Sequence, residues 1–159
     1  DIDLDLLASH SNDNPVYYVQ YAHARSCNVA RNAADAGITQ DGADLSLLNT
    51  ETDGEVLAAL AQWPAALAQA GDLRAPHRVA HYLEDLAASY HKWYNLERVV
   101  PMELTDPENR LPEAEREAQR IAKCPEPARA AARLKLNAAV RTVIATGLDL
   151  LGVSAPEKM

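Results

Sequence analysis

Asn14, Pro15 and Gly37 bracket a stretch whose periodicity commits it to one long helix. A short polar side chain ahead of the first turn accepts from free N–H groups. Proline at the first helical position loses no hydrogen bond, and glycine takes the left-handed φ that ends the helix. The helix is therefore expected over 15–36. At about 100° per residue, Asn14, Tyr18, Tyr21, Arg25, Asn28 and Asn32 share one wedge, and Val16, Val19, His23, Cys27, Ala30 and Ala34 share another. The second set is the expected core face.

The remainder is written in the same residues. Ala, Leu, Arg, Glu and Gln are abundant, Phe is absent and only six glycines occur, which predicts an all-α domain. With 48% apolar residues in 159, one core can form without disulfide or metal. Residues 38–52 form a loop anchored by Leu45, Leu47 and Leu48. Thr52-x-x-Glu55 has the form of a capping box opening a second helix, EVLAALAQW, which Pro64 breaks or restarts and Gly71 ends. A third helix is expected from near Pro76 to Glu97, with Val79, Leu83, Leu86 and Tyr90 at core spacing. Five prolines punctuate 98–127, a long connection with room for a helix at 113–123. A last helix over about 128–147 leads to a tail ending at Met159. The expected organisation is a linker from a preceding domain at 1–13, where Asp1 is read as a fragment boundary, and a helical bundle over 14–159.

Charge and cysteine usage narrow the function classes. A net charge of −8 argues against a general nucleic-acid coat. The charge is uneven: residues 1–60 carry ten acids against Arg25 and Arg31, whereas 120–141 carry six cations against Glu126. Cys27 and Cys124 form no CxxC pair, so reduced thiols and a cytoplasmic setting are expected. No apolar run reaches the roughly 18 residues of a membrane span.

The wedge with two tyrosines and an arginine is the informative surface. Such a face can pack against a neighbouring helix with its hydroxyls wet. It can also form a protein-interaction patch, or a platform on which unpaired bases stack. Periodicity leaves all three open.

Three blocks carry a family resemblance. NPVYYVQYAHARSCNVARNA resembles the segment that opens the anticodon-binding domain of arginyl-tRNA synthetases, with QYAHAR (20–25) as its most specific part. YLEDLAASYHKWYN (82–95) resembles that domain's long helix, and RLKLNAAVRTVIATGLDLLGVSAPEKM (133–159) its final helix and terminus. The resemblance implies an all-α, DALR-type helical bundle of class I aminoacyl-tRNA synthetases. It implies as partners the anticodon loop of arginine tRNA and the enzyme's own catalytic domain, without membrane or DNA.

By position, Tyr18 and Tyr21 match aromatics that meet the anticodon loop, Arg25 a basic partner, Tyr94 an aromatic of the long helix, and Met159 the terminal methionine. Asn14, Asn28 and Arg133 are weaker candidates. EKM stands where the family more often has ERM. ATP and Mg belong, by resemblance, to the parent enzyme. No Gly-rich phosphate loop, HIGH-type or KMSKS-type element occurs here, so no catalytic residues are assigned and no cofactor is expected. A helical protein-interaction module without RNA contact is the alternative.

Other constellations are weaker. His77 and His81 share a helical face with Glu84 and Asp85 beyond, a metal-like spacing that lacks a third ligand; surface histidines are the simpler expectation. His23, one turn from Cys27, is expected as a satisfied core histidine, and Trp63 and Trp93 as core or core-edge. Arg133 and Arg141 suit solvated or intramolecular roles better than backbone contact.

Overall fold

Helix α1, Pro15–Asp35, begins where Asn14 Oδ1 accepts from the amides of Val16 at 3.0 Å and Tyr17 at 3.4 Å. It ends where Gly37, at φ 67°, lets Gly37 and Ile38 donate back to Ala34 and Ala33. The computed structural model describes residues 14–100 and 126–159. The linker expected at 1–13 lies outside the described residues, as do Cys124 and most of the Pro-rich connection, including its expected helix at 113–123.

Of the expected core face of α1, Val19, His23 and Cys27 are buried, but the main buried row is shifted from it. Val19, Ala22, Ser26, Val29 and Ala33 are buried, whereas Val16 is 42% exposed and Ala34 is exposed. At about 100° per residue this row lies between the two stripes. Small side chains there allow close packing on α5 (Pro127–Leu150) and on α4 (His77–Leu96).

Helix α2, Glu51–Ala61, is capped two residues earlier than expected. Thr50 accepts from the Asp53 amide and Asp53 accepts from the Thr50 amide, so the box is Thr50–Asp53, not Thr52–Glu55. Thr52 instead donates its hydroxyl to Glu97 Oε1 at 2.7 Å. Pro64 sits in the first turn of a separate helix, α3, Trp63–Asp72. Gly71 lies inside α3 and is not its stop. Arg74 takes the left-handed conformation, φ 50°, while Arg74 and Ala75 donate to Gly71 and Ala70. Of the loop leucines, Leu48 is buried, Leu47 half-buried and Leu45 exposed beside a 3-10 turn, Leu45–Leu47.

Among the described residues α4 touches all four other helices, and its expected core residues Val79, Leu83, Leu86 and Tyr90 are buried. α5 runs past its expected end because Gly147 is a packing residue: a Cβ there would stand 2.7 Å from Leu83 Cδ2. Gly152, φ 71°, closes the helix instead.

Two buried polar networks fix the register. Tyr90 donates its hydroxyl to Asn137 Oδ1 at 2.7 Å, and Asn137 Nδ2 donates to the Ser26 carbonyl at 3.0 Å, tying α4, α5 and α1. Asp53 accepts from Trp93 Nε1 at 2.8 Å, and Arg133 pairs with Glu97 and approaches Asp53, tying α2, α4 and α5. Trp93 is thus core. Trp63 packs at the core edge against Tyr82, whose hydroxyl donates to Ala59 and whose pKa burial pushes up to about 12.

Candidate nucleic-acid interface

Where α1 faces the end of α4 and the tail, the surface opens into a concavity of about 510 Å³. Tyr21, Ala24, Arg25, Asn28 and Arg31 of α1, Tyr94 of α4 and Glu157, Lys158 and Met159 of the tail line it. The tail reaches this place after Gly152 ends α5 and turns the chain.

Arg25 is the centre of the site. Its guanidinium lies 4.6 Å from the Tyr21 ring centroid and 4.3 Å from that of Tyr94. One terminal nitrogen donates to the Tyr21 hydroxyl at 3.0 Å and the other to His91 Nδ1 at 2.7 Å. Because a guanidinium only donates, His91 must offer a bare Nδ1, which assigns its proton to Nε2, facing the Tyr18 carbonyl at 3.4 Å. Burial, and then the Arg25 charge, push the His91 pKa down to about 4, against a smaller opposing pull from the Tyr18 carbonyl. The imidazole is therefore neutral at physiological pH. Its ring packs on Tyr18 at 4.7 Å and Tyr21 at 5.6 Å, and Tyr21 stacks on Tyr17 at 6.4 Å. Flat π-faces, one cation held between two of them and an open concavity suit a ligand with planar rings and negative charge.

Comparison with known sequences decides the family: the model described as the DALR anticodon binding domain matches residues 19–159. The chain belongs to that family. It is 81% identical to an arginine–tRNA ligase of Bifidobacterium adolescentis and 52% identical to one of Kineococcus radiotolerans; each match covers all of this chain and 26% of the relative. A solved Thermus thermophilus arginyl-tRNA synthetase superposes with a TM-score of 0.62 at 34% identity, over 89% of this chain and 21% of that one. The chain spans about a quarter of the length of the ligases it matches.

Within this DALR domain, five expected site residues meet: Tyr21, Arg25, Asn28, Tyr94 and Met159 line one concavity. Tyr18 does not line it; its half-buried ring packs under His91 and against the core. Asn14 is corrected to a structural role, 5% exposed with its oxygen used on the helix cap. Arg133 is likewise corrected: it is 7% exposed, and its charge is used on Glu97 and on the Arg98 carbonyl.

Sequence reasoning missed Tyr17, His91 and Arg31. Tyr17 is one turn before Tyr21 and His91 one turn before Tyr94, so helical spacing signalled both; Arg31 lies one turn beyond Cys27, off the wedge. His23 is a satisfied buried histidine, its Nδ1 2.9 Å from the Pro156 carbonyl, with Cys27 Sγ at 3.9 Å. His77 and His81 are exposed, His81 standing 3.8 Å from Glu84. No group of three candidate metal ligands converges among the described residues, and no helix among them is long and apolar enough to cross a membrane.

Proposed function

We propose that this DALR domain binds the anticodon loop of arginine tRNA as part of an arginine–tRNA ligase. The observation that carries the reading is the Arg25 guanidinium held between Tyr21 and Tyr94 at the floor of a concavity walled by Met159. Unstacked loop bases lie against the tyrosine rings, each such stack contributing about 1–3 kcal/mol. The N–H groups of Arg25 not used on His91 and Tyr21 donate to a phosphate or a base edge. Asn28 and Met159 bound the space a base can enter.

In this reading the domain supplies recognition without chemistry. Attachment of arginine, with ATP and Mg, belongs to the catalytic domain of the ligase, and the setting is the cytoplasm. One rigid tRNA spans both sites, so binding energy gained at the anticodon also orients the distant acceptor end.

The test is titration of the chain at low salt, where phosphate attraction is strongest, with an arginine tRNA transcript and with the same tRNA carrying a swapped anticodon. Tighter binding of the unaltered transcript supports the reading. Equal binding of both would reduce it to general phosphate attraction, and binding of neither would leave a protein-interaction module.

A further inference from the structure

The concavity has one wall that α1 holds in place through residues outside the aromatic wedge. After Gly152 the tail runs alongside α1 in the same direction. Gln20 Nε2 donates to the Ser154 carbonyl at 2.8 Å, His23 Nδ1 to the Pro156 carbonyl at 2.9 Å, and one terminal nitrogen of Arg31 to the Glu157 carbonyl at 3.2 Å. At about 100° per residue the three donors fall in one row along α1. All three grip main-chain oxygens, and Gln20 Nε2 also reaches the Ser154 hydroxyl at 3.3 Å, so the hold depends chiefly on the path of the tail. Lys158 and Met159, the next residues, line the concavity. His23 is the buried member, 6% exposed, and Gln20 and Arg31 flank it nearer the surface.

Irregular segments outside helices are ordinarily more mobile than the elements they follow unless tied down. A tail ordered beforehand adds to recognition because binding no longer has to immobilise it. We propose that Gln20, His23 and Arg31 are positioning residues for RNA recognition, forming a clasp that sets the tail so that Met159 stands as a wall of the concavity before RNA arrives. This rests on the RNA-reading function proposed above.

The test uses the 159-residue chain and the arginine tRNA transcript as probe. Gln20→Ala and His23→Leu should each weaken binding about two- to tenfold, the range expected for one lost hydrogen bond. His23→Asn, whose amide N–H falls near the Nδ1 position, should recover most of the loss. The same substitutions in a chain lacking residues 158–159 should cause no further loss, because the wall they set is already gone. In Gln20→Ala, the 15N order parameters of Lys158 and Met159 should fall below about 0.6.

Unaltered affinity and tail order in Gln20→Ala would overturn the clasp, as would an equal loss in the shortened chain, which would indicate general destabilisation. If His23→Leu fails to fold, Gln20→Ala still decides. Failure of the unaltered chain to distinguish anticodons removes both proposals, whereas anticodon-dependent binding that survives the clasp substitutions removes the clasp alone.

Discussion

At the scale of single residues, the site depends on how α1 presents Tyr21 and Arg25. Tyr21→Ala should weaken binding of the arginine tRNA transcript by about 1–3 kcal/mol, while Tyr21→Phe, which retains the ring, should lose much less. A titration of both variants checks this; equal losses would assign the effect to the hydroxyl and not to stacking. His91 gives a pH signature. Its folded pKa, about 4, lies below its ordinary value of 6.5, so the unfolded chain takes the proton first. The stability this contributes is present above pH 6.5 and is lost as pH falls from 6.5 to 4, on the order of 3 kcal/mol in all. Denaturant unfolding across that range should therefore show a shallower slope in His91→Gln, which accepts from Arg25 but does not titrate.

Tyr21, Arg25 and Asn28 were legible from one helix's wedge, and Tyr94 and Met159 from the resemblance. Tyr18 was assigned to the same surface because periodicity gives an angle and not a neighbour, and it is the His91 ring that covers it. QYAHAR holds two kinds of residue, Tyr21 and Arg25 for the concavity and Gln20 and His23 for the tail. Only the first kind has a chemical signature in sequence.

At the scale of elements, helix existence was legible and helix ends less so. The long helices announced themselves by apolar spacing, and α1 by its caps. The true cap of α2, Thr50–Asp53, competed with a second pattern two residues on, whose Thr52 and Glu55 are instead bound to Glu97 and Lys92 while Asp53 accepts from Trp93. Glycine is a poor stop signal here: Gly71, expected to end its helix, sits inside it, and Gly147 lies within α5, packed against Leu83. The position that lacks a glycine is Arg74. A side chain held at φ 50° costs about 1 kcal/mol or more, so Arg74→Gly should raise stability by about 1 kcal/mol. Thermal unfolding of the variant would show it as a higher Tm; a lower one would mean that the Arg74 side chain contributes more than its backbone costs.

At the scale of the whole molecule, α4 holds the bundle together, and a buried ionic cluster locks it to α2 and α5. Arg133 is the only cation among the described residues that pairs with Asp53 and Glu97. Removing one member of such a cluster leaves buried charge uncompensated, so Arg133→Met should destabilise the fold by about 3–5 kcal/mol, read from chemical denaturation. A loss below about 1 kcal/mol would show the acids rehydrating at little cost. This cluster was hidden in the sequence, because its members lie about 36 to 80 positions apart and Arg133 stands in a run of cations that looks like a solvated face.

The all-α architecture itself was legible throughout, yet the molecule's net charge of −8 sits uneasily with the polyanionic partner proposed above. The neutral imidazole that steadies Arg25 resolves part of that tension. A carboxylate in its place would orient the guanidinium equally well but would form an ion pair with it, and little attractive field would reach beyond the pair. His91 aims the cation without cancelling it, so Arg25 keeps its positive charge, beside Arg31 and Lys158 and facing Glu157, at the concavity the proposed RNA would enter.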